Sequence, residues 1–216
     1  IGRAVIVTSS AGGGLSLHFA LDPPELVEAL VLCGPVVSGL GYTLPFLRRA
    51  YANYETEPAA MAARWVVDPW TIAPGNDAAR ERLRALFAAC PQDMDWSRNR
   101  FGLEPPEIAL PRLGEITAPT LLIVGAADHP DVFAHVGAIE AGIRGARRAL
   151  IEQAAHLCYL ERPEEFNHAV REFLALLSLA PGAARAAAPP TAPWDTFARG
   201  FAPVPGSALY YEAMGA

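Results

Sequence analysis

The chain has 216 residues, 52% of them hydrophobic, and a formal charge of −6; this suffices for one substantial core and not for two complete domains. No block of Lys and Arg occurs, and pairs such as Arg48-Arg49 and Arg147-Arg148 fall short of the concentrated positive surface that nucleic-acid binding needs. No run reaches the roughly 18 to 20 apolar residues of a membrane span, and three widely spaced cysteines, Cys33, Cys90 and Cys158, form no disulfide framework and favour a reducing, cytoplasmic setting.

Ala4 to Val7 reads as a short buried strand. A glycine-rich turn follows, Thr8-Ser9-Ser10-Ala11-Gly12-Gly13-Gly14, and then a helix over Leu15 to Leu21 that ends at Asp22-Pro23-Pro24. Leu30 to Cys33 is a second apolar strand, closed by Gly34-Pro35. Strand, helix and strand in so short a span predict a βαβ unit and therefore a parallel sheet.

Residues 36–118 have a different texture. Helices are expected over Leu44 to Tyr54, Pro58 to Val67 and Ala78 to Ala89, separated by Asp68-Pro69, Pro74-Gly75 and Cys90-Pro91. A connection this long normally carries structure of its own, and the expectation is a helical lid folded over the strand ends. Tyr51, Tyr54, Trp65, Trp70, Phe87, Trp96 and Phe101 are its candidates for lining an apolar substrate cavity, with Trp65, Trp70 and Phe101 foremost; burying the lid against the body is the competing role for each.

Beyond the lid come a strand over Thr120 to Val124 stopped by Gly125, a helix over Val132 to Ile143, a strand over Arg147 to Ile151, and a helix from Pro163 to Leu177 whose proline suits a first turn. An Ala/Pro-rich linker occupies 180–196, and a hairpin turning at Pro205-Gly206 is expected within Phe201 to Met214. The chain thus divides into a nucleophile-bearing part at 1–35, the lid at 36–118, an acid- and histidine-bearing part at 119–179, the linker, and a tail at 197–216.

A serine hydroxyl is a poor nucleophile near neutral pH unless a base removes its proton as it attacks. The turn after the first strand has the form of a strand-to-helix elbow with Ser10 at its exposed point. Gly12 stands where a side chain would obstruct the tight turn, Gly13 lets the helix approach the sheet, and Thr8 takes the place usually held by a first glycine. Ser9 is the competing nucleophile, although choosing it puts Ala11 at the second small position, and a purely structural turn is a third reading.

Strands of a parallel sheet deliver the residues beyond their C-terminal ends to one rim. Ser10, Asp128 in Gly125-Ala126-Ala127-Asp128 and His156 in Gln153-Ala154-Ala155-His156-Leu157 all hold such positions, in the order Ser, Asp, His. In that arrangement His156 takes the Ser10 proton and later gives it to the leaving group, while Asp128 fixes the imidazole tautomer and stabilises its charged form. Asp131 is the alternative acid, though Pro130-Asp131 suits a cap for the helix at Val132. His129 is expected to face solvent, His18 to pack along its helix, and His135 and His168 to stand without ligand partners, so no metal is expected. Cys158, among Leu157, Tyr159 and Leu160, reads as a packed thiol. Gly12-Gly13-Gly14 has neither the Lys-Ser/Thr ending of a phosphate loop nor dinucleotide spacing, and no cofactor is expected.

Taken in order, these motifs resemble the α/β-hydrolase fold superfamily, in particular its lid-bearing esterase, lactonase and C-C bond hydrolase-like members. The likeness covers Ile1 to about Leu177. It rests on Ser9-Ser10-Ala11-Gly12-Gly13, on Leu21 to Val27 and Ala29 to Pro35, on Ile116 to Gly125 followed by Asp128, and on Ala155-His156-Leu157 with Glu161 to Phe166. The resemblance implies an α/β fold: a partial α/β-hydrolase parallel sheet with a helical lid insertion. It implies that Ser10 attacks the carbonyl of a small, apolar or moderately polar ester, lactone or related substrate, and that the backbone N–H of Ala11 supplies half of an oxyanion hole. The superfamily also carries strands before the elbow and a His-Gly loop with the second oxyanion donor, so the chain is expected to be truncated before its nucleophile strand. Gly206 to Gly215 resembles the opening strands of the same superfamily. A tandem of hydrolase units or a permuted domain would account for it; a homo-oligomer is a separate expectation for its assembly. The rival expectations are an inactive hydrolase fragment or scaffold, a cofactor-free haloperoxidase-like enzyme with the same triad, and a lid-mediated binding or dimerisation module.

Overall fold

Short runs rich in Val, Ile, Leu and Ala form the sheet, the two central ones buried almost throughout. In the computed structural model, which describes residues 2–54, 57–90, 107–179, 197–204 and 207–214, these runs are β1 (Ala4–Ser9), β2 (Val27–Cys33), β3 (Thr120–Gly125) and β4 (Arg147–Ile151). They lie in the order β1-β2-β3-β4 and every neighbouring pair is parallel. The register sets Ser9 beside Cys33, Cys33 beside Ile123 and Gly125 beside Ile151. The C-terminal ends of the four strands therefore lie along one rim.

Parallel strands need crossover connections, and these cover both faces of the sheet. Between β1 and β2 lie α1 (Ala11–Leu21) and a single 3-10 turn, and α5 (Pro130–Gly142) joins β3 to β4. Leu17 of α1 and Val136 and Ile139 of α5 pack with Leu30, Leu32 and Leu122 on one face. On the other, Phe173 of α7 (Pro163–Leu179) packs with Val31, Cys33, Leu121 and Ile123. The alternation of Leu30 and Leu32 against Val31 and Cys33 is the period-two signature of a strand buried on both sides. The edge strands are less covered, with Val7 in β1 52% exposed.

The helix after the elbow starts earlier than its composition suggests. Glycine lowers helix propensity, which places the expected start at Leu15; α1 instead begins at Ala11 and takes in all three glycines. Close packing explains Gly13, where a Cβ would come within 2.6 Å of the Pro35 Cβ. A Cβ on Gly12 would meet Thr8 Cβ at 3.4 Å, an ordinary contact, so that position is less constrained than a tight-turn argument supposes. Thr8 itself is accommodated by polar pairing: its hydroxyl meets Ser16 Oγ at 3.0 Å, and Ser16 donates to Gly12 O at 2.8 Å.

Among the described residues, three α-helices, α2 (Leu44–Tyr54), α3 (Pro58–Val67) and α4 (Asp77–Ala89), and a 3-10 helix over Leu110–Glu115 intervene between β2 and β3. Val66, Ile72, Ala79 and Leu83 of this insertion form a core of their own with Leu157. Arg80 fastens the connector between α3 and α4 by donating to Ile72 O at 2.7 Å and Ala73 O at 3.3 Å. Trp96 and Phe101 lie outside the described residues, as do the side chains of Tyr51 and Tyr54 and the linker at 180–196. Residues 178–216 form a separate unit, in which β5 (Phe197–Val204) and β6 (Ser207–Met214) pair antiparallel.

Candidate active site

Ser10 sits where β1 gives way to α1. Its φ of 54° and ψ of −123° lie outside the helical and extended regions, a costly conformation for a residue with a side chain and one that recurs at functional turns. The turn is fixed by the Ser10 N–H, which donates to Cys33 O at 2.9 Å, and by Gly13 N–H, which donates to Ser10 O at 2.9 Å. As the first residue of the helix, Ala11 has a backbone N–H without an intrahelical partner. Ser9 is placed differently: it pairs with Cys33 in the sheet.

Asp128 and His156 meet from the loops that follow β3 and β4. The Asp128 carboxylate is 4% exposed; its Oδ2 lies 2.9 Å from His156 Nδ1, and its Oδ1 accepts the His129 N–H at 2.7 Å. Engagement of Nδ1 leaves His156 Nε2 as the ring nitrogen available to the cavity. The loops abut because Ala126 N–H donates to Ile151 O at 2.9 Å and Ala127 N–H to Ala154 O at 2.8 Å. Gly34, with φ +50°, passes directly behind the pair: a Cβ there would stand 3.0 Å from the imidazole and 3.3 Å from Asp128 Oδ2.

The histidine loop is also tied to the helical insertion. His156 N–H donates to Trp70 O and Leu157 N–H to Thr71 O, each at 3.1 Å. Glu161, 6% exposed and at the end of the short α6 (Cys158–Glu161), accepts Ala155 N–H at 2.6 Å and Ala73 N–H at 2.9 Å. A buried carboxylate holding two backbone donors from different segments fixes both.

A cavity of about 350 Å³ opens over these residues, lined by Ser10, Ala11, Asp128 and His156 on the rim of the sheet. Its remaining wall is mainly apolar and includes Tyr42, Phe46, Met61, Trp65 and Trp70. This size and character suit a small organic ligand. Among the described residues no hydrogen bond joins the Ser10 hydroxyl to His156; the two face the same space.

Of the aromatic residues anticipated there, Trp65 and Trp70 line the cavity. Phe87 instead packs edge-on to Trp65, with ring centroids 6.5 Å apart. Phe101 lies outside the described residues. Tyr42, Phe46, Arg49 and His129 line the cavity without having been singled out for it; the i, i+3 spacing of Phe46 and Arg49 on α2 was a signal for those two alone.

Two expectations are corrected. His129 does not face solvent: it is 8% exposed and packs edge-on against Phe46 at 5.1 Å and Trp70 at 5.0 Å. Asp131 does not cap the helix; the His129 ring does, its Nδ1 accepting Asp131 N–H at 3.1 Å. The Asp131 carboxylate turns instead to Thr43, whose N–H and hydroxyl donate to it at 2.6 Å and 2.9 Å. Both departures arise from the same tertiary contact, since the insertion covers a loop that would otherwise be wet.

Of the remaining histidines, His18 pairs with Ser38 Oγ at 2.9 Å, buried His135 accepts Val37 N–H at 3.0 Å, and His168 meets Glu172 at 3.3 Å on the surface. Cys158 Sγ lies 3.3 Å from Cys33 Sγ, and that contact together with burial pushes its thiol pKa up. Among the described residues no group of three His, Cys, Asp or Glu could hold a metal ion, and no helix is long and apolar enough to cross a membrane.

The chain matches known proteins over the region that carries this site. A 2-hydroxy-6-oxo-6-phenylhexa-2,4-dienoate hydrolase of Comamonas testosteroni is 29% identical over 184 residues, covering 81% of this chain and 63% of its own length. The carboxylesterase YbfK of Bacillus subtilis is 25% identical over 175 residues, 76% of this chain and 55% of its own. The structure of a hydrolase from Pseudomonas aeruginosa PA01 aligns with a TM-score of 0.61 at 28% identity, over 81% of this chain and 65% of that one. The chain thus spans less than two thirds of the length of these relatives. The model of the alpha/beta hydrolase family matches residues 1–169, from the strand before Ser10 to the helix after His156, and with the parallel sheet this establishes that the chain belongs to that family.

Proposed function

We propose that this chain carries the catalytic residues of a serine hydrolase acting on a small ester, lactone or related carbonyl compound through an acyl-enzyme. His156 Nε2 takes the Ser10 proton as Ser10 Oγ attacks the carbonyl carbon, and returns it to the departing alcohol as the carbon–oxygen bond breaks. A water molecule, deprotonated by the same imidazole, then cleaves the acyl ester and releases the acid. Asp128 holds Nδ1–H toward itself and stabilises the imidazolium, and Ala11 N–H receives the developing oxyanion. The helical insertion serves as a lid, excluding water from the apolar acyl site. No metal or cofactor has a part in these steps, and the cysteines favour a cytoplasmic setting.

The observation that carries the reading is the 2.9 Å contact of a buried carboxylate with His156, beside a serine on a φ 54° turn in the same cavity wall. The purified chain exposed to a fluorophosphonate probe is expected to carry one adduct, on Ser10, and to lose it in His156→Ala. Labelling scattered over other serines, or none, would refute the assignment.

A further inference from the structure

Among the described residues, one guanidinium lines the otherwise mainly apolar cavity. Arg49, on α2, shares the wall with Phe46, Leu47, Trp70 and Thr71. Its Nε donates to Asp68 Oδ2 at 2.6 Å, its Nη2 pairs with the same oxygen, and Nη2 also donates to Thr71 Oγ1 at 3.3 Å. Asp68 is fixed in turn by Trp70 N–H, at 2.9 Å on Oδ1, and by the Thr71 hydroxyl, at 3.2 Å on Oδ2. The charge of Arg49 is thus already answered by a carboxylate set behind it. Among the described residues Arg49 Nη1 makes no hydrogen bond, and the side chain, part of the cavity wall, is 29% exposed.

The other ionisable groups around this space are mostly acidic. Asp128 is buried beneath His156 and Asp131 beneath His129. Burial lowers the His129 pKa, Asp131 opposes that shift, and Arg49 adds to it; the ring is therefore neutral near pH 7. Among the described residues around this space, one guanidinium stands against three carboxylates. A ligand carboxylate entering here would surrender its hydration to an apolar wall and meet a cation already paired, with like charges behind it. An uncharged carbonyl or amide oxygen gives up far less hydration and can still accept from Nη1.

We infer that the cavity selects neutral acyl substrates that carry an uncharged hydrogen-bond acceptor along the acyl chain, with Arg49 as the anchor for that acceptor and Asp68 as the counter-charge that turns away carboxylates. This rests on the hydrolase reading of Ser10 and gives it a substrate class. It also separates this chain from the Comamonas testosteroni relative, whose named dienoate bears a carboxylate.

Two p-nitrophenyl esters of equal size test it, p-nitrophenyl adipamate with a terminal amide and p-nitrophenyl hydrogen adipate with a terminal carboxylate; p-nitrophenyl hexanoate serves as the apolar reference. The amide ester is expected to show a kcat/KM about tenfold or more above the acid ester. Asp68→Asn narrows that ratio by raising the acid ester, and Arg49→Met lowers the amide ester more than the hexanoate. Equal or better turnover of the acid ester, or an amide advantage over hexanoate that survives Arg49→Met, overturns the inference. If no ester is turned over and Ser10 is not labelled, the hydrolase reading fails by itself, and calorimetry with 7-oxooctanamide and 7-oxooctanoate then decides the selectivity. Tighter binding of the amide, weakened in Arg49→Met, supports it; equal or tighter binding of the acid, or binding of neither, overturns it.

Discussion

The two sides of the site are built by different means. On the acid and histidine side, position is set by buried polar contacts: Asp128 meets His156, Gly34 passes close behind both, and Glu161 ties Ala155 to Ala73. On the serine side, Ser10 stands at the end of β1, an edge strand of the sheet as described, held by two backbone hydrogen bonds and the start of a helix. The first side fixes the imidazole from several directions at once. The second fixes a backbone turn and leaves the hydroxyl unengaged among the described residues. Substitutions on the first side are therefore expected to act through position, and those on the second through loss of the nucleophile.

The largest effects should be equal on the two sides. Groups that act as one unit fail together, so Ser10→Ala and His156→Ala are each expected to lower kcat by about 10⁵- to 10⁶-fold, and the double variant by hardly more. Steady-state turnover of p-nitrophenyl hexanoate measures this; additive losses would break the unit. Asp128→Asn is expected to cost about 10⁴-fold, because an amide can donate to Nδ1 and stabilise the wrong tautomer. That loss should appear in kcat, with Ser10 labelling slowed and KM nearly unchanged.

Glu161→Ala is expected to fall on stability. It leaves the N–H groups of Ala155 and Ala73 buried without an acceptor, at about 1–3 kcal/mol each, and chemical denaturation should show a lower midpoint. A midpoint equal to the parent would mean that the histidine loop and the insertion are held by other contacts. Gly34→Ala comes next. Its new Cβ would sit 3.0 Å from the imidazole at a φ of +50°, and a displacement of the ring by a fraction of an ångström should lower kcat/KM by roughly 10- to 100-fold. The equivalent change Gly12→Ala meets only an ordinary 3.4 Å contact and should leave turnover within a few-fold, which sharpens the contrast between a glycine behind the histidine and one inside the serine turn.

What the sequence made legible follows the same division. Apolar runs marked β1, β2 and β3, and in β2 and β3, buried on both faces, little room is left for polar residues; β4, which opens on Arg147-Arg148, is exposed over most of its length. The rim positions of Ser10, Asp128 and His156 were legible because each follows a strand by a short turn, and topology alone brings strand ends to one rim. The start of α1 was not, since helix propensity is local and the packing of Gly13 on Pro35 is not. The surroundings of His129 and Asp131 were hidden for a related reason: only the fold places Thr43, Phe46 and Trp70 over that loop. Glu161 was legible only as part of the Glu161 to Phe166 match, and its role emerges from donors 6 and 88 residues away.

The smallest expected effect concerns pH and lies on the covered side of the molecule. Burial lowers the pKa of His18, His129 and His135 below the ordinary value of 6.5, with Arg112 adding to the shift at His18, Arg49 adding at His129, and Asp131 opposing it at His129 and His135. Well above pH 6.5 these imidazoles are neutral in both the folded and unfolded chain and contribute no pH dependence. As pH falls below 6.5 the unfolded chain takes up protons that the folded chain still refuses, so stability must fall through that window. Thermal melts between pH 7.5 and 5 are expected to show a decline of roughly a few degrees, before carboxylate titration begins in earnest. His135 is the clearest contributor, being fully buried with Nδ1 accepting Val37 N–H. His135→Asn keeps an acceptor for that N–H and removes the titration, so its melting profile should be flatter over the same range. A variant profile as steep as the parent's would assign the acid sensitivity to other groups and remove His135 from the account.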